Sequence, residues 1–166
     1  MADTPALTVL EGSGVEYRVV RTQPAGSAEE SARLQGIELG ALLRTLVVRR
    51  GEDDYLFVLV PGGRRFDWPN LRAHLGVKRL SMPDAEEARA VTGYERGAIT
   101  PFGVQRAWPV IVDSAAMAHE VVAIGGGARG VNLHLSPDAL RNHLDATVLD
   151  VTSGEIPAPR GYDQRE

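Results

Sequence analysis

The spacing of hydrophobic residues along the chain predicts a series of short β-strands. Residues 15–19 alternate between apolar and polar side chains, which is typical of a strand with one buried face. Residues 45–48 and 55–60 are apolar or β-branched at nearly every position, and the turn-forming GEDD sequence between them predicts a hairpin buried on both faces. Similar short runs predict further strands at residues 79–80, 110–112, 121–124, 131–135 and 148–149.

Helix-capping signals predict helices between these strands. The predicted helices begin next to Thr4, Ser27, Asp67, Pro83 and Ser136. Ser27 is followed three residues later by Glu30, the sequence of a capping box, and Thr4 and Ser136 each precede a proline, which is favoured at the first helical position. Helices interspersed among short strands predict an α+β, or mixed α/β, fold in preference to a regular βαβ array.

The length and composition bound the organisation of the chain. Its 166 residues are close to the length of one domain, and 43% hydrophobic residues are enough to fill a core. We therefore expect a single domain over residues 1–155. Residues 156–166 are charged and proline-containing, so we expect them to form a disordered tail.

Charge and residue usage exclude several classes of protein. The formal net charge of -4 argues against a generally basic nucleic-acid coat protein, although it permits a local basic groove. The chain has no cysteine, which excludes disulfides, thiolate metal sites and a cysteine nucleophile. No apolar run approaches the roughly 18 residues of a membrane span, and Asp3 lies where a secretory signal would be positive. We expect a cytoplasmic protein without membrane contact.

The glycine-rich segment GGGARG at residues 125–130 formally matches the dinucleotide-binding pattern G-x-G-x-x-G. A dinucleotide site needs a helix directly after the glycines, whereas residues 131–135 have the pattern of a strand. Two interpretations remain open: a structural glycine-rich hairpin, or a backbone that a ligand approaches closely because no Cβ atoms obstruct it.

Other candidate chemistry is sparse. The four histidines have no i, i+4 pair and no carboxylate spacing that would complete a metal set, so we predict surface or capping roles for them. No serine lies in a G-x-S-x-G elbow. Arg44 lies beside a strand with two apolar faces, where it either is buried against an anionic partner or extends from the strand end to solvent. The sequence leaves both alternatives open.

Four segments together carry a family resemblance. They are GYERGAITPFG at residues 93–103, LRTLVV at 43–48, WPVIVD at 108–113 and GGGARG at 125–130. In order and spacing they resemble the motifs of the YbaK-type, prolyl-tRNA-synthetase-associated editing domains, over about residues 5–150. Proteins of that family are aminoacyl-tRNA deacylases.

The resemblance implies a curved mixed β-sheet, partly barrel-like and surrounded by helices, that encloses a pocket for the aminoacyl group. It implies hydrolysis of the ester that joins a wrong amino acid to the 3′ end of tRNA, without a metal or other cofactor. Arg44 stands where many relatives have a lysine. An arginine stays protonated and cannot be a base, but it can stabilise an oxyanion or bind phosphate.

By this resemblance, four residues carry catalysis: Arg44, Gly97, Gly125 and Gly126. Eight others are predicted to contact the substrate: Thr22, Thr45, Leu46, Phe57, Thr100, Pro101, Gly127 and Arg129. A tRNA-binding protein of negative net charge should concentrate arginines at the pocket mouth. We expect these to come from Arg33, Arg44, Arg64, Arg65 and Arg129.

The predicted partner is the 3′ acceptor end of an aminoacyl-tRNA, free or in a transient complex with a synthetase. Two alternatives stand beside a trans-editing deacylase: a non-catalytic module that binds aminoacyl-tRNA or an amino-acid-like ligand, and a nucleotide-binding protein that uses the glycine-rich segment. The sequence does not name the amino acid that would be removed, nor an oligomeric state.

Overall fold

The computed structural model describes residues 3–155, so the tail predicted at residues 156–166 lies outside the described part. The α-helices are α1 (Pro5–Leu10), α2 (Ala28–Gln35), α3 (Trp68–Leu75), α4 (Ala85–Thr92) and α5 (Pro137–Leu144). The strands are β1 (Arg18–Arg21), β2 (Leu43–Gly51), β3 (Asp54–Pro61), β4 (Arg64–Phe66), β5 (Val110–Asp113), β6 (Val122–Gly125), β7 (Val131–Leu135), β8 (Thr147–Leu149) and β9 (Thr152–Glu155). Two short 3₁₀ helices span Leu39–Ala41 and Ser114–Ala118.

The larger of the sheets is mixed, in the order β2-β3-β5-β8. β2 and β3 form the predicted antiparallel hairpin, whereas β5 runs parallel to β3 and β8 runs parallel to β5. A second, antiparallel sheet has the order β1-β7-β6, and a bridge between Leu42 and Ala123 connects the two sheets. The predicted mixed α+β fold is confirmed, and the described strands do not close into a barrel.

The hairpin strand β3 is buried on both faces, as its apolar sequence predicts. Phe57 and Leu59 point into the main core cluster, which also contains residues of α1, β6 and β7. Leu56 and Val58 alternate with them and pack on the opposite face against Leu71 of α3. The central strand therefore separates two apolar clusters, and it fixes the position of its neighbour β2.

The helix starts follow the capping signals. The side-chain oxygens of Thr4, Ser27, Asp67 and Ser136 each accept a hydrogen bond from a backbone N–H in the first turn of a helix. At α4 the cap is Asp84, one residue after the predicted start. None of the helices in residues 3–155 is long and apolar enough to cross a membrane.

Three strand predictions need correction. β1 begins at Arg18 instead of residue 15, and residues 79–80 form no strand. The neighbouring Ser81 instead makes an isolated antiparallel bridge with Arg49. The pair β4–β9 was missed, because it joins segments about ninety residues apart and its sequence has no clear hydrophobic periodicity.

Candidate active site

A cleft of about 540 Å³ opens along the edge of β2, between the bridges that Leu42 makes with Ala123 and Arg49 makes with Ser81. Its walls come from the residues before α2 and the exposed face of α2, from β2, and from residues 82–88. The loop around Gly97 and the ends of β6 and β7 complete it. The cleft therefore lies where the two sheets diverge.

The hydrogen-bond alternation of β2 leaves backbone groups directed at this cleft. The Arg49 N–H and C=O pair with Ser81, at 2.7 and 3.0 Å, and therefore point away from β3. Backbone direction alternates at each residue of an antiparallel strand. Thr45 and Val47, four and two residues earlier, therefore also direct their N–H and C=O groups away from β3, along the wall of the cleft.

Arg44 is exposed and lines the cleft, so the interpretation of a buried guanidinium is wrong. Among residues 3–155 no carboxylate lies within ion-pair distance of its guanidinium. The same holds for Arg96, which also lines the cleft, and for Arg129 beside it. Three unpaired guanidinium groups make this region a candidate anion-binding surface.

The Thr45 hydroxyl is a buried polar atom without a hydrogen-bond partner in the described part of the chain. Leaving a buried hydroxyl unpaired costs about 1–3 kcal/mol. Because Thr45 lines the cleft, a bound ligand can supply the missing partner. Leu46 also lines the cleft and packs against the second core cluster.

The loop after α4 is held in place by its own hydrogen bonds. The Tyr94 hydroxyl donates to the Phe102 carbonyl at 2.7 Å, and burial raises the pKa of Tyr94 to about 12. The Tyr94 N–H donates to the Thr92 hydroxyl at 3.1 Å. At the cleft, Gly97 has φ +90°, and a Cβ there would lie 3.3 Å from the Arg129 guanidinium. A glycine is therefore suited to this turn in both conformation and space.

The three consecutive glycines of the glycine-rich segment lie in different surroundings. Gly125 lines the cleft. The Gly126 N–H donates to the Val131 carbonyl at 2.8 Å, so it is not free to bind an oxyanion. A Cβ at Gly127 would lie 2.9 Å from the Tyr94 ring and 3.1 Å from Thr4, which places Gly127 against the N-terminal helix. The catalytic role predicted for Gly126 and the substrate contact predicted for Gly127 therefore need correction.

Several other predicted site residues lie elsewhere. Phe57 is 1% exposed inside the main core cluster, and Thr100 is fully buried next to Pro101, which is also buried. None of these three lines the cleft. Phe57 lies on the central strand β3, and its side chain packs in the main core cluster beneath the cleft-lining strand β2. Thr22 and Arg129 line an adjoining depression of about 310 Å³ that shares Ser31, Gly97 and other residues with the cleft.

Among the predicted basic residues, Arg64 is committed to a structural role. Its Nε donates to the Thr152 hydroxyl at 2.6 Å and lies 3.9 Å from the Asp113 carboxylate. Arg65, on the same short strand, is exposed but does not line the cleft. Arg33 lies 3.8 Å from Glu30. Arg44, Arg96 and Arg129 therefore remain as the cationic groups at or beside the cleft.

Sequence reasoning missed the α2 wall of the cleft and the polar groups around it. Ser27 and Ser31 are one helical turn apart and both line the cleft, as do Arg96 and Asn132. Ser27 was interpreted only as a helix cap, and Ser31 lies on the polar face of an amphipathic helix without a motif of its own. His134, predicted at the surface, is 4% exposed. Among residues 3–155, no three His, Asp or Glu side chains are grouped to hold a metal.

Comparison with known proteins shows the family to which the chain belongs. The sequence model of the aminoacyl-tRNA editing domain matches residues 22–143. EbsC of Enterococcus faecalis, assigned as a Cys-tRNA(Pro)/Cys-tRNA(Cys) deacylase, is 27% identical over 140 residues, which are 84% of this chain and 85% of that protein. The multifunctional Ser/Thr-tRNA deacylase ProXp-y of Escherichia coli is 26% identical over 64% of this chain and 66% of its own length.

A solved structure and a larger enzyme show the same similarity. The crystal structure assigned to a trans-editing enzyme for prolyl-tRNA synthetase superposes with a TM-score of 0.82, at 28% identity, and the match covers 93% of this chain and all of that one. A proline–tRNA ligase of Thermosipho melanesiensis is 28% identical over 74% of this chain but over only 22% of the ligase. The chain therefore resembles proteins of its own size and one part of a larger synthetase.

Proposed function

Because the chain belongs to the family of aminoacyl-tRNA editing domains, we propose that it acts in trans as a deacylase of mischarged aminoacyl-tRNA. The reaction is hydrolysis of the ester between the aminoacyl group and the 3′-terminal ribose. We place the reaction in the cytoplasm, on tRNA that is free or transiently bound to a synthetase.

One observation carries this proposal: a cleft at the sheet edge joins an unpaired cation with unpaired hydrogen-bonding groups. Arg44 contributes the guanidinium, and Thr45 contributes a buried hydroxyl that has no partner among residues 3–155. The turn at Gly97 and the end of β6 at Gly125 face the same space. An ester in this cleft meets a charge and hydrogen-bond donors where its carbonyl oxygen becomes negative.

The proposed steps of ester hydrolysis use the groups that line the cleft. A water molecule, oriented by the adjacent ribose hydroxyl, forms a bond to the carbonyl carbon, and the carbonyl oxygen becomes an oxyanion. The Arg44 guanidinium stabilises that oxyanion but does not accept a proton. The ester C–O bond then breaks, and the ribose oxygen takes up the proton that the attacking water releases. The products are the free amino acid and uncharged tRNA.

The charge distribution supports a polyanionic substrate. The chain carries a net charge of -4, yet Arg44, Arg96 and Arg129 have no carboxylate partner in the described residues. Phosphates of the acceptor end are suitable partners for these groups. Affinity for tRNA should therefore fall steeply as salt concentration rises, as counterion release requires.

A panel of mischarged tRNAs tests the function. Release of labelled amino acid, measured for each mischarged tRNA with and without the protein, should show turnover of at least one of them. Binding of aminoacyl-tRNA without turnover of any would favour the alternative of a non-catalytic binding module. If tRNA binding does not respond to salt, and no turnover occurs, a tRNA partner is ruled out.

A further inference from the structure

A chain of hydrogen bonds runs from the exposed Arg18, through the buried His134 and Gln35, to the wall of the cleft. The Arg18 guanidinium lies 3.4 Å from Nδ1 of His134, and Nε2 of His134 lies 2.9 Å from the Gln35 side-chain oxygen. The Gln35 side-chain nitrogen lies 2.9 Å from the Ser31 hydroxyl. His134 and Gln35 are 4% and 7% exposed, so water does not replace these partners readily.

Arg18 fixes the direction of every bond in this chain. A guanidinium only donates, so Nδ1 of His134 must accept and its proton lies on Nε2. The Gln35 oxygen must then accept from that nitrogen, which turns its amide N–H toward Ser31. Burial lowers the pKa of His134, in keeping with the neutral ring that this arrangement needs. Because Arg18 donates to Nδ1 of His134, the orientation of the Gln35 amide follows from the ring that it contacts.

The last member of this hydrogen-bond chain is the Ser31 hydroxyl, whose proton is available to a ligand. The Ser31 oxygen already accepts from Gln35, so Ser31 can act toward a ligand as a donor. A helical hydroxyl often donates to the carbonyl four residues earlier, as Thr8 and Thr92 do. No such bond from Ser31 occurs in the described part of the chain. Ser31 is half-buried and lines the cleft, whereas Arg44 is exposed.

We propose that Ser31 is a specificity-determining residue, which donates a hydrogen bond to an oxygen atom on the side chain of the aminoacyl group. Gln35 and His134 are positioning residues that keep the Ser31 oxygen occupied and its proton free. The proposal rests on the proposed deacylase function, with the tRNA phosphates near exposed Arg44 and the amino acid against the deeper α2 wall. Substrates whose side chain lacks an acceptor at this point should be disfavoured.

Threonine and valine have nearly the same shape and differ by a hydroxyl in place of a methyl group, so they isolate this hydrogen bond. For wild-type protein, kcat/KM on threonyl-tRNA should exceed that on valyl-tRNA by about tenfold or more, the scale of one hydrogen bond. Ser31→Ala should lower the threonyl value by about tenfold and change the valyl value less than about twofold. Ser153→Ala, an exposed serine outside the cleft, should change neither.

Gln35→Glu tests the direction of donation in the hydrogen-bond chain from Arg18 to Ser31. A carboxylate at this position accepts from both neighbours, so it draws the Ser31 proton away from the cleft and should abolish the preference for threonine. Adding Ser31→Ala should then cause little further loss, because the two residues act through one hydroxyl. Gln23→Glu introduces the same charge at an exposed position and should leave the preference intact. Thermal unfolding checks that each variant folds, and Ser31→Ala decides alone if Gln35→Glu does not.

The same comparison can be made without turnover. Amide-linked threonyl- and valyl-adenosine analogues, which resist hydrolysis, can be titrated calorimetrically into wild-type protein and Ser31→Ala. A preference for the threonyl analogue that Ser31→Ala removes supports the inference even if wild-type protein deacylates no tRNA, the outcome that would defeat the proposed function. Equal affinity of wild-type protein for both analogues, or an equal loss of both in Ser31→Ala, would overturn the inference.

Discussion

Two buried polar groups of the large sheet, the Asp113 carboxylate and the Thr45 hydroxyl, differ in their hydrogen bonding. The Asp113 carboxylate accepts from the N–H of Val151 at 2.8 Å, the N–H of Ala115 at 3.1 Å and the Thr152 hydroxyl at 2.9 Å. The Thr45 hydroxyl has no partner in the described residues. Both lie on strands of one sheet, so the strand environment alone does not explain the difference.

The difference indicates which polar groups stabilise the fold and which await a ligand. Asp113 is 1% exposed and joins the end of β5 to the start of β9, so its bonds are all internal. Thr45 lies at the open edge of β2, where none of residues 3–155 supplies a partner for its hydroxyl. A buried group without a partner costs stability, and a fold tolerates that cost where binding recovers it.

The largest effect is expected from removing the satisfied group. Asp113→Ala leaves the buried N–H of Val151, the half-buried N–H of Ala115 and a hydroxyl without their acceptor, and Arg64 without its carboxylate 3.9 Å away. We expect a loss of about 3 kcal/mol or more in the free energy of unfolding, measured with urea. Deacylation per folded molecule should be unchanged.

Asp53 provides the control for this measurement. It makes an exposed ion pair with Arg106 at 3.2 Å, and its side chain is 73% exposed. Because Asp53 has φ +54°, a conformation that asparagine tolerates, the control is Asp53→Asn, which should cost less than about 1 kcal/mol. Similar losses in the two variants would show that the internal bonds of Asp113 do not stabilise the fold.

The next largest effect is expected at the cation of the open site. Arg44→Ala should lower the deacylation rate by about 100-fold or more, the scale of losing one oxyanion donor. The free energy of unfolding should change little, because the exposed side chain leaves no apolar cavity. Arg44→Lys keeps the charge without the planar fork and should retain substantial activity, with a changed preference among amino acids.

Arg65→Ala removes an exposed guanidinium outside the cleft and controls for a general loss of positive charge. Its deacylation rate should match the wild-type rate at physiological salt. A wild-type rate in Arg44→Ala on the best substrate would contradict the catalytic role of Arg44 and leave that residue structural.

Thr45 should show stability and activity changing in opposite directions. Thr45→Val replaces the unpartnered hydroxyl with a methyl group of nearly the same shape, and it should raise the free energy of unfolding by about 1 kcal/mol. The same change removes a hydrogen-bonding group from the cleft and should lower kcat/KM about tenfold. Urea unfolding and deacylation on the best substrate measure the two effects, and a destabilised Thr45→Val would mean that the hydroxyl has an internal partner.

Local sequence signals predicted the helices and strands around the site better than the side chains that line it. The caps at Ser27 and Ser136 and the hairpin of β2 and β3 follow from short-range chemistry, and they were predicted correctly. The pairing of β4 with β9 depends on contacts between distant segments, which no local pattern reveals.

Which residues line the cleft depends on the direction in which each side chain points. Strand β3 is apolar on both faces, so its sequence predicts that Phe57 is buried but does not tell a core position from a place in the cleft wall. The motif at residues 125–130 identifies a glycine-rich turn but not that Gly126 has its N–H paired with Val131. Ser31 has no motif, because its role depends on Gln35 and on His134, which is about a hundred residues further along the chain.

The smallest effect is expected at His134, whose hydrogen bonds are internal although the chain they belong to ends at the cleft. Burial, and secondarily the positive charge of Arg18, lowers the pKa of His134 below its ordinary value of 6.5. The unfolded chain therefore takes up a proton near pH 6.5 that the folded protein resists. Stability from the neutral ring is complete above this pH and is lost as the pH falls toward the folded-state pKa, by at most about 1.4 kcal/mol per pH unit.

His134→Gln removes this titration while every other group remains. At pH 7.5 the variant should be less stable than wild-type protein, because the ring leaves Arg18 and Gln35 with poorer partners. As the pH is lowered from 7.5 to 5, thermal or urea unfolding should show the wild-type advantage becoming smaller. If the advantage stays constant across this range, His134 does not resist protonation in the fold. The evidence for a neutral ring that orients Gln35 toward Ser31 would then be lost. The hydrogen bonds of His134 and Gln35 would be interpreted as purely structural, like those of Asp113.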